Sequence, residues 1–96
     1  MPHTVEPATK AMANKELLRL IENEISIGFT FLDSHMLAYH SGHTAHAEQA
    51  LQNAMLAHKT AGRFLPQLPE AQAAAFRPRL RELASSIARL GGETEL

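Results

Sequence analysis

A chain of 96 residues with 45% apolar and 20% charged side chains suits one folded domain, and excludes both a second domain and general disorder. Its formal charge of −1 argues against nucleic acid as the main partner. It has no cysteine, which excludes disulfides, thiolate metal sites and cysteine catalysis.

No apolar run approaches the roughly 20 residues that span a membrane. The first residues show no basic start followed by an apolar stretch. A soluble, cytoplasmic chain without a membrane partner is expected. Charge is unevenly spread: residues 1–54 hold three Lys or Arg against six Asp or Glu, and residues 55–96 hold six against four. Such a division marks helix faces that attract each other, within one chain or between chains.

Residues 1–8 contain two prolines and little apolar material, and read as a flexible N-terminal arm. A single helical domain is expected over residues 9–91, with Thr9 capping its first helix. That helix is predicted over about 10–40. Leu18, Ile21, Ile25, Gly28, Leu32, His35 and Tyr39 alternate steps of three and four, and Leu17, Leu20, Ile27, Phe31 and Ala38 form a second apolar row. The stretch Ile25-Ser26-Ile27-Gly28-Phe29-Thr30-Phe31 also alternates as a strand does. Helix is the better reading, because no other segment offers a strand partner. A bend near Ser26–Gly28 is compatible with it.

Gly42 supplies a left-handed stop, and Thr44 is positioned to cap a second helix over about 44–65, with Glu48 in its first turn. This helix places Ala47, Ala50, Ala54, Ala57 and Ala61 almost every turn, so two backbones can pack closely. Its inner row reads Ala47, Leu51, Ala54, His58, Ala61 and Leu65. Pro66-Gln67-Leu68-Pro69 is a stop followed by a start. A third helix over about 69–90 carries Ala73, Phe76, Leu80, Leu83, Ile87 and Leu90. Pro78 kinks or splits it. Gly91-Gly92 ends it, leaving residues 92–96 as a tail.

The expected fold is all-α: an antiparallel helical hairpin plus a third helix. Folding the second helix back at Gly42 sets Ala54 against Phe31 and His58 against Gly28, where the missing side chain makes room for the imidazole. The first helix then overhangs the second by roughly 12–15 Å at about 1.5 Å per residue. The overhang holds Leu17, Leu18, Leu20 and Ile21, each worth about 1.5–3 kcal/mol when buried. A homodimer covering these four residues is expected, the alternative being a bent helix that closes a monomer.

Phe31, Tyr39, Gly42, Ala47 and Ala54 give the hairpin a resemblance to a tetratricopeptide-type helix pair over about 30 residues. It departs from that pattern at His35, where a small residue is usual, and at Lys59, where a closing proline is usual. With its longer second helix and a third helix carrying Arg77, Arg79, Leu80, Arg81 and Leu83, the chain also resembles the microtubule interacting and trafficking domain. Both resemblances imply a protein- or peptide-binding module, with a partner helix lying in a groove between two helices.

The chemistry-bearing residues add little to this. His35, His40, His43 and His46 fall close together, and the alternative reading is a small metal- or ligand-binding helical bundle that uses these hairpin histidines, with His40, His43 and His46 as the metal ligands. No His-Glu-x-x-His pair or Glu-x-x-His repeat supports it, and solvated histidines explain the cluster as well. His58, on the inner row, reads as a core or boundary histidine, or as a pH-sensitive element of the packing. Asp33, Ser34 and His35 are the residue types of a hydrolytic triad, but consecutive helical residues diverge by about 100° and cannot form one. Arg77, Arg79 and Arg81, with Lys59 and Arg63, make a basic strip suited to an acidic peptide or phosphate, or simply to solvent. A non-enzymatic protein-interaction or scaffolding module is therefore expected, with no cofactor. Its partner surface would comprise apolar residues that the third helix leaves uncovered, together with the arginine strip.

Overall fold

Leu17, Ile21, Ile25, Gly28, Leu32, His35 and Ala38 recur every three or four residues, and they form the buried edge of a single helix, α1, Asn14–His40. A computed structural model describes residues 13–95 of the chain, with side chains through residue 91. The N-terminal arm, the Thr9 cap and the start at Lys10 lie outside the described residues. Within them α1 begins at Asn14, after Ala13 in an extended conformation. The strand alternative for Ile25–Phe31 gives way, because Ile25, Gly28 and Leu32 all face the core at helical spacing.

Gly42 ends α1 as its sequence implies, with φ +83°. The His43 N–H donates to the Ala38 carbonyl at 2.9 Å and the Gly42 N–H to the Tyr39 carbonyl at 3.2 Å. This pair of bonds is a Schellman closure, which satisfies two otherwise orphaned carbonyls. The next helix, α2, runs Thr44–Phe64. Its first backbone bond, Ala47 N–H to the His43 carbonyl at 2.9 Å, makes His43 and not Thr44 the capping residue. With the helix started one residue early, Glu48 falls beyond the first turn.

The alanine stripe does what its spacing implies. Ala47, Ala50, Ala54, Ala57 and Ala61 are all buried. With no larger side chain to separate them, α1 and α2 pack closely. A short 3-10 turn, Leu65–Gln67, leads through Leu68 and Pro69 to α3, Glu70–Glu95. The Pro69 carbonyl accepts from Gln72 and Ala73, so Pro69 precedes the helix instead of sitting inside it.

For α3 one expectation narrows and another needs correction. Of the kink or split expected at Pro78, the split does not occur, since one helix runs through it. The proline and Ala74, whose carbonyl would otherwise accept the N–H that proline lacks, both lie at exposed positions, where water can take the place of the missing donor. Nor does Gly91-Gly92 stop the helix or leave residues 92–96 as a separate tail, since helix continues to Glu95. Gly91 keeps helical backbone angles and lies against Leu51 of α2, where a Cβ would stand 3.7 Å from its Cδ2.

The three helices form an all-α bundle, with no strand among the described residues. The third helix runs parallel to α1 and antiparallel to α2. Asn14 bonds Gln72 at one end, and Leu51 meets Gly91 towards the other. At the first end Leu17, Ile21 and Ile25 cluster with Ala61, Leu68, Ala73, Phe76 and Leu80. Further along, Leu32, Leu51, Ala54, Leu83 and Leu90 form a second cluster.

This arrangement changes two inferences drawn from the hairpin alone. Leu17 is 4% exposed and Ile21 0% within the single chain, so the overhang of α1 is covered by the connector and the first turns of α3. Those two side chains are not available to a second copy, and the covering needs neither a dimer nor a bent helix. Leu18 and Leu20 remain half-buried. Gly28 faces Leu83, not His58: a Cβ there would come within 2.7 Å of Leu83 Cδ2. Pairing α1 with α2 alone overlooks the helix that fills the space between them. His58 is half-buried.

His35 is the one buried polar side chain among the described residues, at 1% exposure. Its Nδ1 lies 2.7 Å from the Ala47 carbonyl. A carbonyl only accepts, so Nδ1 carries the proton and donates. The ring stacks on Tyr39 at 6.0 Å, tying the end of α1 to the start of α2. His35→Ala is expected to cost about 2–3 kcal/mol, from a lost buried hydrogen bond and the cavity left behind. Urea unfolding followed by far-UV circular dichroism measures it, and a loss below about 0.5 kcal/mol, the range of inert surface changes, would remove His35 from the structural account.

Candidate functional site

Once three helices have buried one face each, the leftover apolar residues show where the molecule is unfinished. Ile27, on the second apolar row of α1, is 43% exposed, and Leu56 of α2 is 61% exposed. Together with half-buried Phe31 they line a depression of about 360 Å³, completed by Glu24, Asn53, Ala57 and Thr60. The groove continues past Phe31, Ser34, His46, Gln49, Ala50 and Asn53, and then past Ser34, Leu37, Ala38, Ser41 and His43. The first depression shares Phe31 and Asn53 with the second, the second shares Ser34 and His46 with the third, and together they follow the seam between α1 and α2. None of the described residues that line them belongs to α3.

The seam is shallow because its floor is made of alanine. Ala50 and Ala57 bring the two helices together without filling the outer furrow. The separate hollows measure about 260, 280 and 360 Å³ and are open to solvent, whereas small-molecule pockets run to roughly 300–1,000 Å³ and enclose most of the ligand. A long, open, apolar-centred furrow suits an extended partner better than a small ligand.

The basic strip is largely engaged within the chain. Arg77 forms a two-pronged ion pair with Glu70, at 2.6 and 3.0 Å. Arg79 forms another with Glu22 of α1, at 2.8 and 3.0 Å. Arg63 lies over the Phe64 ring, 5.3 Å from its centre. Arg77 and Arg81 are about 40° apart around α3, with Arg79 on a different side facing α1. Lys59 and Arg81 are exposed. The five residues are thus spread over two helices and three directions.

The Glu22–Arg79 pair realises the charge division between the two parts of the chain. The hydrogen bond from Arg79 holds the Glu22 carboxyl below the ordinary glutamate range, against the opposing effect of desolvation and with a further electrostatic contribution from the arginine. A lowered folded-state pKa means that the pair stabilises the fold above the ordinary glutamate range and loses this contribution as pH falls through the lowered value. Both side chains are at least 41% exposed, so a double-mutant cycle of Glu22→Gln and Arg79→Gln is expected to give a coupling of about 1 kcal/mol or less. It should shrink in high salt and vanish in acid. A coupling insensitive to salt would contradict the exposed geometry.

The histidines do not converge. His40 ends α1 edge-on to Tyr39, with ring centres 5.8 Å apart. His43 and His46 line one hollow without His40. No group of three or more His, Cys, Asp or Glu side chains placed to hold a metal occurs among the described residues. His35, expected to be solvated with the other hairpin histidines, is buried instead and donates to a backbone carbonyl. Asp33 and Ser34 are exposed, and no hydrogen bond joins either to His35.

No known protein family, curated protein or solved structure matches the chain. No described helix is long and apolar enough to cross a membrane.

Proposed function

We propose that this chain is a non-enzymatic, cytoplasmic protein-interaction module that receives a partner helix in the furrow between α1 and α2. The observation that carries the proposal is the exposure of Ile27 and Leu56 beside half-buried Phe31, in one seam that α3 leaves uncovered. Large apolar side chains exposed singly are ordinary, but a connected row beside a helix–helix groove is the form that helix-in-groove recognition takes. The likeness of the hairpin to tetratricopeptide-type pairs, and of the three helices to the microtubule interacting and trafficking domain, points to the same class of activity.

The test is affinity capture from the native host, comparing the wild type with Ile27→Asp/Leu56→Asp. Both positions are largely exposed, so the variant is expected to melt within a few degrees of the wild type. Proteins retained by the wild type and lost from the variant support the proposal. An identical set captured by both proteins would exclude the furrow as the binding surface.

A further inference from the structure

The furrow contains one side chain that its apolar surroundings do not explain. Glu24 is half-buried beside Ile27, Phe31 and Leu56, and it is the only carboxylate among the residues lining the three hollows. Among the described residues no lysine or arginine lines them. Glu22, two residues earlier, is paired with Arg79, but among the described residues no ion pair or hydrogen bond reaches the Glu24 carboxylate. A carboxylate at the edge of an open groove is solvated by water. When a partner covers the groove, that water is lost and the charge must be paired.

On the basis of the interaction reading above, we infer that the occupant is an amphipathic helix of another protein, whose apolar stripe is flanked by lysine or arginine placed to meet Glu24. The furrow runs from Glu24 to Ser41, about 25 Å at the helical rise, so about five turns of partner would fill it. A second copy of the chain fits less well. A two-fold axis at the level of Phe31 and Asn53 would bring Glu24 opposite the far end of the partner's furrow, which carries histidine but no lysine or arginine. Charge complementarity thus favours a basic-flanked helix over self-association.

The experiment uses two designed peptides of about 18 residues with the same leucine stripe, one flanked by lysines and one by glutamates. Each is titrated into the full chain by fluorescence anisotropy, alongside light scattering of the protein alone. The lysine-flanked peptide should bind at least tenfold more tightly than the other, lose about tenfold with Glu24→Gln, and fail to bind Ile27→Asp/Leu56→Asp. Circular dichroism confirms that the variants are folded. Equal binding of both peptides, indifferent to Glu24→Gln but lost with the aspartates, overturns the charge inference and leaves the groove reading standing. Binding unaffected by the aspartates, or no binding at all, overturns both. A wild-type dimer that the aspartates convert to a monomer shows that a second copy occupies the furrow, and also overturns the inference.

Discussion

Replacing Gly28 with leucine is expected to destabilise the fold by about 2 kcal/mol or more, although leucine is the better helix former by about 1 kcal/mol. A first side-chain carbon at Gly28 already comes within 2.7 Å of Leu83 Cδ2 and 3.2 Å of Cδ1. Leu83 is fully buried and has little freedom to move aside. A leucine therefore pushes α3 away from α1 at the middle of their contact. Leu83→Ala alone is expected to cost about 2–5 kcal/mol through the cavity it leaves. In the double variant the new leucine enters that cavity, so the combined loss should fall short of the sum by about 2 kcal/mol. Urea unfolding of the four proteins measures this coupling. Costs that add to within about 0.5 kcal/mol would show that the two positions do not touch.

Truncating Ile21 to alanine is expected to remove about 3–4 kcal/mol of stability, a large share of what a domain of this size possesses. Ile21 is completely buried among residues of α1, the connector and α3, all from the same chain. The unfolding midpoint should consequently be independent of protein concentration in both wild type and variant. A midpoint that rises with concentration, with the rise lost on truncation, would mean that a second copy completes this end of the bundle. Ile21→Ala thus separates two coverings of the same leucine-rich segment, one within the chain and one between chains.

Much of the secondary structure was legible because it depends on neighbours along the chain. The alanines of α2 and the row Ala73, Phe76, Leu80, Leu83 and Leu90 of α3 repeat at helical spacing, and they are buried as that spacing implies. Gly42 marked the turn because no other residue type enters a left-handed conformation so cheaply. Local signals were less dependable where packing overruled them. Gly91 and Pro78 read as interruptions, yet α3 passes through both. One lies against Leu51, and the other sits on an exposed face together with Ala74, whose carbonyl it leaves without the usual donor. Thr44 read as a cap, but the Schellman closure reaches His43 first.

The candidate site was harder to see. Ile27 and Phe31 belonged to a second apolar row, which showed that α1 needs more than one neighbour but not which part of the row stays open. Leu56 lies off the inner row of α2 and gave no periodic signal. Histidines and arginines drew attention by their number, although His35 serves the packing and two of the arginines serve ion pairs.

By itself, then, the sequence determined an all-α chain of three amphipathic helices, a tight hairpin at Gly42 and a small-residue seam between its arms. These follow from periodicity and backbone sterics, which act over a few residues. Only the tertiary structure decided that α3 lies parallel to α1 and covers Leu17 and Ile21, that Leu83 fills the space at Gly28, and that the α1–α2 furrow is left open with Glu24 inside it. Those choices depend on which faces meet across more than fifty residues of chain, as in the Asn14–Gln72 and Glu22–Arg79 bonds, and helical spacing carries no information about that.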